Sequence, residues 1–186
     1  MGPIAHAAST AVNGEHDMTT ITRRGETVHI NGDLPAVGSP APDFKLTRKD
    51  LSDVSLADYA GLRKVLSIVP SLDTPTCAMS ARQFNQRAAA LENTVVLNIS
   101  ADLPFAMARF CEIEGIEAVE ALSMMRDRRF ATDYGILQVD GPMAGLTARA
   151  VLVLDTHDVV VYRDLVPEIR QEPDYDAALA ALESAG

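Results

Sequence analysis

The segment Lys64-Val-Leu-Ser-Ile-Val69 is almost continuously apolar and is closed by Pro70. A run that short and that apolar suits a strand buried on both faces, and such a strand needs cover above and below its sheet. The chain is therefore confined to a layered α/β arrangement. The cover is visible downstream, where Ala81, Phe84, Ala88 and Leu91 recur at helical spacing. Residues 94–100 read as the next strand and 105–110 as a short helix. A further helix spans 127–134 and is closed by Gly135 in the position expected of a C-cap. The runs 148–154 and 159–162 flank Asp155-Thr-His-Asp158, a hairpin signal. Tyr175, Ala178, Leu179 and Leu182 mark one face of a C-terminal helix. The resulting order is β-α-β-α-β-β-α, with parallel crossovers early and a hairpin late.

That order predicts an α/β protein of thioredoxin-like fold, with a central mixed β-sheet flanked by helices and a short N-terminal β extension. The extension is the β-branched run Thr27-Val-His-Ile30, followed by the turn Asn31-Gly32-Asp33 and a proline-punctuated connector from Gly38 to Asp43. Residues 1–26 are polar and aperiodic and read as a mobile tail. Their first 17 residues read as an incidental extension ahead of Met18, a second candidate start. The domain is expected to span 27–186. The tail has neither a basic nor an apolar segment of the kind that directs secretion.

Composition narrows the function. The chain has 186 residues and a net charge of −10, which opposes binding to nucleic acid or to an anionic membrane surface. No apolar stretch approaches the roughly 18 to 20 residues of a membrane span. Two cysteines are too few for a disulfide-rich scaffold or a four-thiolate metal site. The four histidines, His6, His16, His29 and His157, form no metal or His–Cys constellation, and neither phosphate-binding glycine pattern is present.

Cys77 ends the stretch that joins the buried strand to the following helix. Thr74 is a good N-cap and Pro75 suits the first helical position, which puts Cys77 at the third. Unpaired N–H groups and the helix dipole there favour a thiolate. The thiol also falls at the C-terminal edge of a sheet, where open α/β sheets bind ligands. On these residues alone Cys77 is either a reactive thiol or a small buried side chain at a helix start. Cys111 is either a core residue beside Phe105, Phe110 and Ile113 or a second reactive thiol. Arg149, inside an apolar run, either has an anionic partner or sits at an edge from which it snorkels to water. Arg82, Arg87, Asp133 and Glu168 read as solvated groups. Met124, Met125 and the loop 143–146 line either an approach to the thiol or the core.

Pro70, Thr74 and Cys77 reproduce the P-x-x-x-T-x-x-C signature of peroxiredoxins, and the chain resembles the thiol peroxidase subfamily from Thr27 to about Leu182. The blocks Ser100-Ala-Asp-Leu-Pro-Phe105, Arg109-Phe-Cys111, Asp140-Gly-Pro142, Ala148-Arg-Ala150 and Glu172-Pro-Asp-Tyr175 carry the likeness. The resemblance implies a thiol-dependent peroxidase acting on hydrogen peroxide and organic hydroperoxides. Cys77 would be the peroxidatic thiol, Thr74 and Arg149 would orient the peroxide, and Pro70 would support the pocket. Cys111 would be the resolving thiol of an intramolecular disulfide, with thioredoxin as reductant. It further implies a cytoplasmic homodimer with no cofactor and no metal. A redox sensor that uses the same disulfide as a switch is the alternative. The stretch between Thr27 and Gly38 is short for this subfamily, so the N-terminal hairpin is expected to be truncated or rearranged.

Overall fold

The computed structural model describes residues 18–183. Strands β1 (Thr20–Arg23) and β2 (Glu26–His29) precede β3 (Leu46–Thr47), β4 (Asp53–Val54) and a 3-10 turn at Leu56–Tyr59. Then come β5 (Arg63–Ile68), α1 (Pro75–Ala88), β6 (Thr94–Ser100), α2 (Pro104–Glu114), β7 (Val119–Ser123) and α3 (Arg129–Asp133). The chain closes with β8 (Ala150–Leu154), β9 (Val160–Leu165) and α4 (Tyr175–Glu183). Seven strands form one mixed sheet in the order β4-β3-β7-β6-β5-β8-β9, parallel from β5 through β6 to β7 and antiparallel elsewhere. This is the thioredoxin-like plan, with β1 and β2 as a separate hairpin.

The apolar run does what its composition requires. Val65 pairs with Val96 and Val153, and these three face a core completed by Phe84 of α1 and Tyr175, Ala178 and Leu182 of α4. The adjacent residue in each strand, Leu66, Leu97 and, on the antiparallel β8, the preceding Leu152, faces the opposite core with Ile21, Val28, Phe130 and Tyr134. The interior strands are thus covered on both sides, by α1 and α4 on one face and by the hairpin and α3 on the other.

Three expectations change, and strands β3, β4 and β7 are added to the expected order. The tail reading of 1–26 fails over its last part, because Thr20–Arg23 and Glu26 belong to the hairpin. Its loop is Arg24-Gly25, with φ of 57° and 79°, the doubly left-handed geometry that matches strand twist. Ile21 and Val28 are directly paired and buried, which anchors it. The hairpin is therefore neither truncated nor displaced from the fold; it starts upstream of where the β-branched run suggested. Residues 1–17 lie outside the described residues. The helix expected at 105–110 runs on to Glu114 and ends at Gly115, with φ 63°. Strands β3, β4 and β7 form one edge of the sheet; β4 and β7 have no continuous apolar run, and β7 carries the half-buried Glu120. Gly135 follows α3 as expected, and its φ of 69° brings it so close to Asp33 that an added Cβ would lie 2.1 Å from that carbonyl oxygen.

Candidate active site

Strand β5 delivers the chain to Pro70, and the loop that follows is held by one carboxylate. Asp102 accepts from Ser71 Oγ at 2.8 Å, from Leu72 N at 2.7 Å and from Ser100 Oγ at 2.8 Å. Thr147 Oγ1 donates to the Val69 carbonyl at 2.9 Å, tying the end of β5 to the approach to β8. With the loop fixed, Thr74 takes extended backbone angles and caps α1, Pro75 fills its first position, and Cys77 N donates to Thr74 Oγ1 at 3.4 Å. The local reading of the sequence is reproduced here.

The sulfur of Cys77 is fully buried and receives two donors. Thr74 Oγ1 donates to Sγ at 2.7 Å and Arg149 Nη2 donates to it at 3.2 Å. Arg149 is 2% exposed, so the snorkelling alternative is excluded. Its Nε donates to the Ile169 carbonyl at 3.1 Å and its Nη1 to Ser80 Oγ at 3.3 Å. No carboxylate pairs with it among the described residues. A buried guanidinium without a counter-charge is costly, and of the three groups it touches only the Cys77 sulfur can carry a full negative charge.

Behind Arg149 runs a chain of hydrogen bonds. Tyr175 Oη lies 3.1 Å from Ser80 Oγ and 2.8 Å from Glu172 Oε2. A phenol has one proton, and an ionised carboxylate only accepts. Burial raises the Tyr175 pKa above the ordinary tyrosine range, which keeps that proton in place. The consistent assignment has Tyr175 donating to Glu172, Ser80 donating to Tyr175, and Arg149 donating to Ser80. The chain fixes the guanidinium and leads from it to a carboxylate. Sequence reasoning missed Ser80, Glu172 and Asp102 as site residues. The signals were the spacing of Ser80, one helical turn after Cys77, and the blocks that contain Asp102 and Glu172.

Pro70, Thr74, Arg149 and Met143 help to line a cavity of about 310 Å³, which the buried Cys77 does not itself line but both donors to its sulfur do, so the structure brings these residues together. Cys111 is not. It lies in the last turn of α2, half-buried, and lines a different cavity of about 460 Å³ that shares no lining residue with the first. Burial raises its thiol pKa, with Lys49 opposing weakly. Its carbonyl accepts from Ile116 N at 2.9 Å, which ties its backbone into the helix cap. Met107 belongs to the Cys77 cluster and also lines the Cys111 cavity, and both thiols are free. Arg82 pairs with Glu114 and Arg87 lies over the Tyr175 ring; neither reaches the thiol.

Comparison with known proteins agrees with this geometry. The Redoxin family profile matches residues 36–179. A thiol peroxidase of Leptospira interrogans is 49% identical over 170 residues, covering 90% of this chain and 99% of that protein. The crystal structure of a peroxiredoxin-like protein from Aquifex aeolicus superposes with a TM-score of 0.85 at 36% identity, covering 91% of this chain and 99% of that one. A thiol peroxidase from Chromobacterium violaceum shares the fold, with a TM-score of 0.83 at 24% identity over 89% of this chain and 95% of its own. The chain belongs to the Redoxin family, as a peroxiredoxin of the thiol peroxidase subfamily.

Proposed function

We propose that Cys77 is the peroxidatic nucleophile of a two-cysteine peroxidase for hydrogen peroxide and organic hydroperoxides. The thiolate attacks the distal oxygen of the hydroperoxide; an S–O bond forms, the O–O bond breaks, and the departing alkoxide or hydroxide takes a proton from solvent. Cys77 is left as a sulfenic acid. Thr74 and Arg149 donate to the reacting oxygens, so charge that moves from sulfur to the leaving oxygen stays within reach of the same fixed donors. Pro70 shapes the wall of the pocket. The observation that carries this reading is the convergence of Thr74 Oγ1 and a buried, carboxylate-free guanidinium on one sulfur.

Cys111 then condenses with the sulfenic acid, losing water and forming an intramolecular disulfide, and a dithiol such as thioredoxin reduces it by exchange. Because Cys77 is fully buried behind Thr74 and Arg149 whereas Cys111 lines a separate cavity, the start of α1 and the last turn of α2 have to open before the bridge closes. A reducing compartment, most simply the cytoplasm, fits this cycle, and pairing of two chains as a homodimer is part of the same reading.

Single-turnover peroxide consumption tests the roles. Cys77→Ser is expected to abolish it, whereas Cys111→Ser keeps one turnover and loses thioredoxin-coupled cycling. Equal behaviour of the two variants in single turnover would overturn the assignment.

A further inference from the structure

The cavity lined by Thr74 and Arg149, the two donors to the buried Cys77 sulfur, is unusual in its charge. Arg23 and Arg24 from the hairpin, Arg170 from the segment after β9, and Arg149 all line it, and among the described residues no carboxylate does. This is a cationic pocket on a chain whose net charge is −10. Elsewhere Arg48, Arg82, Arg126 and Arg129 each pair with a carboxylate. Arg23, Arg24 and Arg170 make no ion pair among the described residues.

Their placement is built into the fold. Glu168 accepts from Gly25 N at 3.2 Å, Thr22 Oγ1 at 3.1 Å and Arg170 N at 3.2 Å, which pins the hairpin loop against the segment that carries Arg170. Thr22 N donates to the Pro167 carbonyl at 2.7 Å and Ile169 N to the Thr22 carbonyl at 2.9 Å. The same Ile169 presents its carbonyl to Arg149. One short segment thus sets both the catalytic arginine and the cationic rim.

The cavity also has room for more than the smallest peroxide. At about 310 Å³ it reaches the lower end of organic-ligand pockets, whereas a water molecule occupies about 30 Å³. Met143 and Ile169 give it apolar wall. We propose that this pocket selects organic hydroperoxides that carry a carboxylate, with the hydroperoxide at Cys77, the carbon body against Met143 and Ile169, and the carboxylate at Arg23, Arg24 and Arg170. Guanidinium forks match a carboxylate in shape as well as charge. This rests on the reading that Cys77 reduces its substrate from this cavity.

The test compares cumene hydroperoxide bearing a para carboxylate with the methyl ester of the same compound, and with hydrogen peroxide as a small neutral reference. For the parent protein, kcat/KM for the acid should exceed that for the ester by about tenfold, the scale of two or three partly exposed charge pairs. The preference should shrink as salt rises from about 0.1 M to 1 M and the Debye length falls from about 10 Å to 3 Å. Arg24→Glu and Arg170→Glu should each lower or reverse the acid-to-ester ratio, and turnover of the ester in the same variants reports that they are folded. If a variant does not fold, Arg24→Gln and the salt dependence of the parent decide the matter. An acid-to-ester ratio near one in the parent, or a preference that survives both charge reversals, overturns the inference. If none of the three peroxides is reduced, it is the peroxidase reading that fails instead.

Discussion

Replacing Thr74 with Val removes one hydroxyl that makes two bonds. It accepts from Cys77 N as the cap of α1 and donates to Cys77 Sγ at 2.7 Å. Loss of the cap removes about 1 kcal/mol of stability, which for a domain of this size lowers Tm by roughly 2 to 4 °C. Loss of a hydrogen bond to a charged sulfur, retained as charge shifts to the leaving oxygen, is worth about 1.5 to 3 kcal/mol, or roughly 10- to 150-fold in rate. Thr74→Val should therefore slow the peroxide reaction by that factor and melt a few degrees early. Thr74→Ser keeps both functions and should stay near the parent in both. Thr74→Asp separates them, because a carboxylate caps a helix well but when ionised only accepts and repels a thiolate; it should regain Tm but not rate. The assays are stopped-flow peroxide consumption at substoichiometric peroxide and thermal denaturation by circular dichroism. A Val variant within threefold of the parent rate would refute the role given to the hydroxyl, whatever its Tm.

Three further outcomes follow from the geometry. Tyr175→Phe breaks the chain from Glu172 to Ser80 and loosens Arg149; oxidation of Cys77 should slow by about three- to tenfold, the scale of one hydrogen bond of about 1 kcal/mol, and an unchanged rate would remove the chain from the account. Burial raises the Cys111 pKa, so in Cys77→Ser the native alkylation rate of Cys111 should be low at pH 7 and climb about tenfold per unit past the ordinary thiol range, while a plateau below that range would contradict it. Gly135→Ala forces a Cβ to within 2.1 Å of the Asp33 carbonyl at positive φ and should cost at least about 3 kcal/mol, seen as a Tm lower by roughly 6 to 12 °C or as loss of cooperative unfolding.

What the chain reveals before folding divides along physical lines. Strands β5, β6 and β8 are legible because burial on both faces leaves an apolar run, and the cap at Thr74 and Pro75 is legible because it is written in adjacent residues. Strands β4 and β7 are not, since a short edge-side strand holding a half-buried Glu120 satisfies the sheet without a pattern. Strand β1 escaped because an Arg-Gly loop lacks the usual turn chemistry and its apolar contribution is a single residue, Ile21. At the site, Pro70, Thr74, Cys77 and Arg149 were visible from a motif and from a charge in an apolar run. Ser80, Glu172, Asp102 and the rim arginines act through contacts between distant segments, such as Ser80 with Arg149; the helical spacing of Ser80 from Cys77 and the blocks around Asp102 and Glu172 mark positions but not those contacts.

The central claim is that peroxide oxidises Cys77 and that Cys111 resolves it. Non-reducing peptide mass analysis of the full chain after one equivalent of hydroperoxide tests it most directly. The account predicts a linked peptide pair containing Cys77 and Cys111, lighter than the two free peptides by two hydrogens, and restored by a dithiol. Recovery of both cysteines as free thiols after the peroxide has been consumed, or oxidation confined to Cys111, would contradict it.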